Sequence, residues 1–378
     1  MDFGLSEEQQ QFVDTLGRFV ARDYGFARRR TIVNSQEGWS KEVWQSLADL
    51  GVLAINVPEK YGGLGFGPVE TMLAMNVFGA ALLVEPYLSS AVIATSLLCD
   101  IAGESVKAEL LPRLAGGERI AVLAHFEPAS RFVIAHVECS ARKDGERYVL
   151  EGQKAAVLDA PAAGHLLVSA RTSGLPDDDT GVSLFLVSRD SPGLVLREFP
   201  TLDGGRAAEV LLNKVSVPAS ARLGGEGEAM PAIERALDIG LSALCAEAVG
   251  AMKALQNATI EYLKTRSQFD QPIGRFQVLQ HRAADMLIHF EQAQSMSYLA
   301  AMRCTAENTL ERRRMLSAAK VVVGQACRFI AQSAVQLHGG MGMTDELMVS
   351  HWFKRLTMIE STFGDSDSHL QRFAELAS

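Results

Sequence analysis

The sequence predicts an α+β protein with a helical N-terminal domain, a middle domain of antiparallel strands forming a barrel or sandwich, and a C-terminal four-helix bundle. Apolar residues recur at helical intervals up to about residue 118 and again beyond about residue 226, while β-rich runs lie between them. Strands do not alternate with helices, which argues against a parallel sheet. We therefore predict three domains, at residues 1–118, 119–225 and 226–378.

The N-terminal domain opens with a helix-start pattern. Ser6 is followed three residues later by Gln9, which is the spacing of a capping box, and apolar residues then recur at helical intervals. The same interval continues over residues 39–53 and 71–83, and the glycine-rich loop EKYGGLGFGP lies between them. These patterns predict a first domain built of several helices.

The middle domain is predicted because the spacing of apolar residues changes, near residue 119, from the helical period of about 3.6 to the strand period of about 2. The runs ERYVLEG, HLLVSAR, VSLFLVS and GLVLREF are short and rich in β-forming residues. Turn signals separate them, including Asp144-Gly145 and Pro192-Gly193. Short strands joined by tight turns indicate antiparallel pairing.

The C-terminal domain is predicted from three long helical stretches. They cover about residues 227–265, 276–306 and 309–338, and short connections join them. Long helices with short connections are typical of an up-and-down bundle.

Composition excludes several classes of protein. The net charge of −9 argues against a general nucleic-acid surface, and the most apolar region, near residues 80–101, is broken by polar residues and cannot span a membrane. The five cysteines are scattered, without metal-ligand spacing or a disulfide framework. We expect a cytoplasmic protein without a leader, a metal site or a membrane anchor.

Two segments of the C-terminal domain carry groups that bind phosphates and rings. Arg266, Phe269 and Gln277 surround a break between two helices, where a guanidinium, an aromatic ring and an amide could hold a phosphate. The segment QLHGGMGMTDE, residues 336–346, ends a long helix with glycines that let backbone amides approach a ligand. A surface arginine at a helix end and a plain glycine C-cap are the simpler alternatives.

Together these segments resemble the flavin-binding part of the acyl-CoA dehydrogenase family. The resemblance extends over nearly the whole chain, because EKYGGLGFG resembles the family's N-terminal loop and residues 144–171 resemble its middle domain. Within the family, the sequence most resembles the small subunits of heteromeric enzymes such as pimeloyl-CoA dehydrogenase. That closer likeness rests on the segments FEPASR, CAEAVGAM, GGMGMTDE and KRLTMIESTFGD.

The resemblance implies FAD as cofactor and α,β-dehydrogenation of an acyl-CoA thioester. It also implies a tetramer, either of identical chains or with a large subunit, and electron-transfer flavoprotein as acceptor. Arg266, Phe269 and Gln277 would then reach the FAD of a neighbouring subunit. The residues that would contact the adenine and pyrophosphate end are Gln336, Gly339 and Gly340.

The flavin-facing positions of the middle domain depart from the family's pattern. Phe126 stands where the family has threonine, and Ala156-Val157-Leu158 stands in place of the family's Trp-x-Thr motif. Arg131 lies near a lost Gly-Ser pair. These changes remove a hydroxyl and an indole that contact the flavin ring in the family. Arg131 could replace part of the polar contact, or it could be a solvated loop residue.

The positions of the family's catalytic base also depart from the family's pattern. The two positions at which the family places its carboxylate fall on Phe363 and on Gly240. Asp365 and Glu247 are therefore our candidate bases, with a helix N-cap as the alternative for Asp365 and a structural arginine partner as the alternative for Glu247. We expect Glu360 to end a helix and face solvent.

Three functions follow from the resemblance. The chain could be an FAD-dependent acyl-CoA dehydrogenase, as the small subunit of a heteromeric enzyme. It could instead be a non-catalytic partner that completes the FAD site of a base-bearing large subunit. An oxidase or desulfinase reaction on the same fold is the third alternative.

Overall fold

The structure is a computed structural model, and it describes residues 4–376. The helices are α1 (Glu7–Asp23), α2 (Phe26–Val33), α3 (Lys41–Asp49), α4 (Pro68–Ala81), α5 (Thr95–Ile101), α6 (Glu104–Ala115), α7 (Met230–Thr265), α8 (Gln277–Arg303), α9 (Thr309–His338), α10 (Met348–Ser361) and α11 (Ser366–Glu375). The strands are β1 (Ala121–Ala124), β2 (Ser140–Asp144), β3 (Arg147–Leu158), β4 (His165–Arg171), β5 (Val182–Ser188), β6 (Leu194–Pro200), β7 (Arg206–Pro218), β8 (Arg222–Leu223), β9 (Ser267–Gln268) and β10 (Gln271–Pro272).

The predicted α+β fold class is confirmed, with helices at both ends of the chain and strands between them. The chain forms two compact units. The first combines the residues up to Thr31, Pro68–Leu83 and the chain from Leu241 onward, and the second combines Ile32–Gly67 with Val84–Gly240. Helices dominate the first unit, whereas the second holds the large sheet.

Two glycines set the contact between α4 and α7 in the first unit. A Cβ atom added to Gly79 would lie 1.9 Å from the carbonyl oxygen of Glu247, and one added to Gly250 would lie 1.9 Å from that of Asn76. At each glycine, the backbone of the opposite helix therefore lies closer than any side chain would permit.

The predicted capping box at the start of α1 is confirmed. The Gln9 backbone N–H donates to Ser6 Oγ at 3.2 Å, and the Ser6 N–H donates to Gln9 Oε1 at 3.1 Å. Two of the donors that a helix start leaves unpaired are thereby satisfied.

The sheet of the second unit has the strand order β6-β7-β3-β2-β4-β5-β8, and β1 pairs with β4. Most neighbours are antiparallel, as predicted. The structure differs in two pairings with β4, which are parallel: β1 has Ala121 opposite His165, and β2 has Ser140 opposite Arg171. The run Ala121–Ala124 is short, apolar and nearly all buried, so it carries no alternation from which a direction could be inferred.

A buried ion pair lies at the centre of this sheet. Lys154 Nζ donates to a Glu127 carboxylate oxygen at 2.6 Å, with side-chain exposures of 0% and 2%. The ammonium also donates to the His125 carbonyl at 3.1 Å and to Ser169 Oγ at 3.0 Å. The Glu127 carboxylate accepts the backbone N–H of Cys139 at 3.0 Å, so both charges have several hydrogen-bond partners.

His125 completes this network as a neutral ring. Its Nε2–H donates to the Ile134 carbonyl at 2.9 Å, so its Nδ1 accepts from the Ser169 hydroxyl at 2.9 Å. Burial, reinforced by the nearby Lys154 ammonium, lowers the pKa of His125 to about 3.

No helix in the described part of the chain is long and apolar enough to cross a membrane. Among the same residues, no cluster of histidine, cysteine and acidic side chains could hold a metal ion.

Replacing Lys154 with methionine should lower the free energy of unfolding by about 3–5 kcal/mol, because the Glu127 carboxylate would stay buried without its counter-ion. Urea denaturation measures this loss, and the double variant K154M/E127Q should recover part of it. Lys60→Met is the matched control, since its pair with Glu104 is exposed and spans 3.5 Å. Equal losses for K154M and K60M would contradict the assignment.

His125 should make the protein less stable in mild acid. Between pH 6.5 and 3 the unfolded chain binds a proton at this ring that the folded chain does not, so stability is complete above pH 6.5 and falls as the pH drops. The steepest contribution is about 1.4 kcal/mol per pH unit. Urea unfolding at neutral and mildly acidic pH should show a flatter pH dependence for His125→Asn than for the original chain, and an unchanged slope would contradict the assignment.

Candidate functional site

The two segments singled out as ligand-binding lie next to each other in the first unit. The Tyr262 ring near the end of α7 stacks on the His338 ring at the end of α9, with centroids 4.4 Å apart. Arg266 lies one turn beyond Tyr262, and Gly339 directly follows His338. The stacked rings therefore bring the starts of the two segments together.

The first segment presents its polar and aromatic groups to solvent. It forms a small hairpin of β9 and β10, in which the Ile273 N–H donates to the Arg266 carbonyl at 2.8 Å. Phe269 is 85% exposed and adopts a φ of 54°, and Gln277 is exposed at the first position of α8. The Arg266 guanidinium forms no ion pair within the described residues, so it is available to an anion.

The second segment closes α9 with an open glycine turn. The Gly339 N–H donates to the Gln336 carbonyl, so the predicted C-cap is present, and Gly339 has a φ of 59°. A Cβ atom added at Gly339 or Gly340 would meet no atom within 4 Å. The backbone is thus accessible here, and the exposed Gln336 amide lies beside it. The Gln336 amide is a donor of the kind that a phosphate accepts, whereas the Gly339 N–H is already used in the C-cap.

The three middle-domain positions offer little to a flavin ring within the second unit. Phe126 is half-buried, and its carbonyl accepts from the Ala155 N–H at 2.8 Å. Leu158 is half-buried at the end of β3. Arg131 is exposed with a φ of 46°, and its guanidinium lies 5.9 Å from the Phe132 ring. None of these side chains supplies the missing hydroxyl or indole.

Glu247 is held by an arginine. Arg355 on α10 donates from Nε to one carboxylate oxygen at 2.6 Å and from its terminal nitrogen to the other at 2.7 Å. Glu247 is 3% exposed, so this is a buried bidentate pair between α7 and α10. The structure therefore shows the arginine partner that we weighed as the alternative for this residue.

Asp365 caps a helix. Its Oδ1 accepts the Ser368 N–H at 2.8 Å, and the residue is the N-cap of α11. The N-cap that we weighed as the alternative for Asp365 is thus present.

Two buried side chains donate hydrogen bonds to backbone carbonyls at and beside the loop between α10 and α11. Lys320 Nζ donates to the Glu360 carbonyl at 2.7 Å and to the Gly364 carbonyl at 2.6 Å. His369 Nε2–H donates to the Phe363 carbonyl at 3.0 Å. Burial lowers the pKa of Lys320 from its ordinary value and lowers that of His369 to about 3. Phe363, with a φ of 59°, is therefore fixed by its neighbours.

Glu360 differs from our expectation of a solvent-facing residue. Its side chain is only 14% exposed, and one carboxylate oxygen accepts from Arg328 at 2.9 Å and from the Ser366 hydroxyl at 3.1 Å. The helix end is folded back against α9 and the start of α11, so the carboxylate is paired inside the loop.

The sequence interpretation missed Lys154, Lys320 and Arg355. A signal existed for Lys154, because it falls in phase with the buried Tyr148 and Leu150 of β3, where an inward lysine requires an acidic partner. Lys320 and Arg355 gave no comparable signal, since their partners lie 40 or more residues away in the chain.

Comparisons with known proteins agree with this architecture. Models of the acyl-CoA dehydrogenase N-terminal, middle and C-terminal domains match residues 6–118, 124–215 and 227–377. Mitochondrial isovaleryl-CoA dehydrogenase of Pongo abelii is 28% identical over 96% of this chain and 87% of that protein. Probable acyl-CoA dehydrogenase YngJ of Bacillus subtilis is 28% identical over 98% of both chains.

A solved structure is also similar over its full length. A chain of the ChsE4-ChsE5 complex from Mycobacterium tuberculosis has a TM-score of 0.89 and 26% identity, covering 100% of this chain and 99% of that one. Because all three domain models match in order over most of the sequence, the protein belongs to the acyl-CoA dehydrogenase family, a family of FAD-dependent oxidoreductases.

Proposed function

We propose that this chain is the small subunit of a heteromeric acyl-CoA dehydrogenase whose partner subunit supplies the catalytic carboxylate. One observation carries the proposal, which is that both candidate bases are already engaged. Glu247 is paired with Arg355 and Asp365 caps α11, while Phe363 and Gly240 occupy the positions of the family's base.

The reaction requires a free carboxylate. The α-proton of an acyl-CoA thioester is weakly acidic, so a base must remove it as hydride leaves the β-carbon. FAD, when bound, supplies the hydride acceptor. Both Glu247 oxygens already accept hydrogen bonds from Arg355, so proton removal by this carboxylate would require a buried ion pair to open.

The cofactor-binding residues support a role for this chain in holding FAD. Arg266, Phe269 and Gln277 are exposed, as expected of side chains that reach a cofactor bound to a neighbouring subunit. The glycine turn at Gly339 and Gly340 leaves its backbone open to a phosphate bridge. The flavin ring would find no hydroxyl or indole at Phe126, Leu158 and Arg131. This favours weaker binding of the ring by this chain than by family members that carry those groups.

A relative also favours a heteromeric assembly. ChsE4-ChsE5 is a complex of two components, and one of its chains is similar to this protein over its whole length. By analogy we propose a tetramer with a large subunit, an acyl-CoA as substrate and electron-transfer flavoprotein as electron acceptor.

The isolated chain should fail to reduce flavin with an acyl-CoA, whereas co-expression with a partner encoded beside it should restore the reaction. Anaerobic loss of flavin absorbance on addition of a panel of acyl-CoA thioesters measures this, together with the flavin content per chain. If the isolated chain binds one FAD per subunit and is bleached at the rate of the complex, a base within this chain is established and the proposal fails.

Glu247→Gln and Asp365→Asn should leave the rate of flavin reduction in the complex within a few-fold of the original. Loss of a true general base lowers the rate about 10²- to 10⁴-fold. E247Q should reduce stability, because Arg355 stays partly buried without its carboxylate, whereas D365N keeps an N-capping side chain and serves as the matched control. A hundredfold loss in either variant without unfolding would identify that residue as the base.

A further inference from the structure

A groove lies in the first unit, apart from the candidate flavin segments. It is an open groove of about 680 Å³ lined by residues of α1, α4, α7, α8 and α10. None of its lining residues belongs to residues 266–277, 336–343 or 360–369. The groove is therefore distinct from the candidate flavin segments and from the loop that contains Phe363.

Small residues create the groove. Gly17 and Ala21 line it from α1, Ala80 lines it from α4 and Ala254 lines it from α7, so at these four positions no larger side chain enters the space. A Cβ atom added to Gly17 would meet no atom within 4 Å. The lining along α1 runs from Val13 to Ala21, which corresponds to about 12 Å of helix.

One side of the groove is polar. Lys253 and Asn257 lie one turn apart on α7, and Gln294 faces the groove from α8. Lys253 is the sole charged residue among the lining residues that the structure describes, and no carboxylate within the described chain pairs with it. The groove thus combines a largely apolar lining with one unpaired cation and the amides of Asn257 and Gln294, whereas the third lining amide, that of Asn76, donates to the Met72 carbonyl at 2.9 Å.

We propose that this groove binds a single-chain amphiphile with a carboxylate head, such as a medium-chain fatty acid. The alkyl chain would lie between α1, α4 and α7, where apolar burial is favourable. The carboxylate would accept hydrogen bonds from the Lys253 ammonium and from the Asn257 and Gln294 amides. The unpaired positive charge at an apolar groove without acidic residues favours this occupant over a cationic or a purely apolar one.

The proposal does not depend on flavin chemistry, so it can be tested on the full chain with decanoate as the probe. Calorimetric titration should show saturable binding of one decanoate per chain. Gly17→Leu places a side chain in the groove and should weaken decanoate binding at least about tenfold. Gln11→Leu, at an exposed position of the same helix that does not line the groove, should leave binding unchanged.

The head group is tested separately. Lys253→Gln should weaken decanoate binding about fivefold, because Lys253 is exposed and its charge is screened, and should leave binding of decanol unchanged. Since Lys253 is at the surface, this variant keeps the experiment informative even if G17L folds poorly.

Three results would overturn the proposal. One is the absence of saturable decanoate binding, and another is an unchanged affinity in both G17L and K253Q. The third is that G17L alters self-association of the chain, measured by sedimentation, without altering decanoate affinity, which would identify a second copy as the occupant of the groove.

Discussion

The ion pair between Glu247 and Arg355 is the constraint on which the functional interpretation depends. It joins α7 to α10 inside the first unit, and Glu247 lies where the backbone of α4 comes closest to α7. Removing one member of a buried bidentate pair leaves an uncompensated charge, which typically costs about 3–5 kcal/mol. The pair therefore ties α10, the helix that leads to Phe363, to α7 through a carboxylate that is 3% exposed.

The two units share one arrangement of hydrogen bonds, in which a buried lysine and a buried histidine donate to backbone carbonyl groups. In one unit Lys154 donates to one main-chain carbonyl oxygen and the neutral His125 ring donates to another. In the other unit Lys320 donates to two main-chain carbonyl oxygens and the neutral His369 ring donates to a third. Carbonyl groups that leave a helix or strand need donors when water is excluded. A lysine can supply up to three donors, which suits a loop where several carbonyls converge.

Local sequence patterns predicted the helices and strands. Strand direction and ion-pair partners depend instead on contacts between residues far apart in the chain. The capping box at Ser6 and the three long C-terminal helices follow from residues near one another in the chain. The parallel direction of β1 and the arginine that holds Glu247 depend on partners far away, Arg355 being 108 residues from Glu247. Composition could suggest that Glu247 has a cationic partner, but no spacing rule could identify which one.

The paired glycines at the crossing of α4 and α7 restrict how the first unit can move. A carbonyl oxygen from each helix sits in the space that a side chain would occupy on the other, so neither helix can slide along its neighbour without collision. Shear, in which packed helices slide past one another, is therefore blocked at this point. Beside this crossing, the Trp352 indole N–H donates to the Ala80 carbonyl at 3.1 Å and ties α10 to the end of α4, so a second contact restrains α4 at the same place.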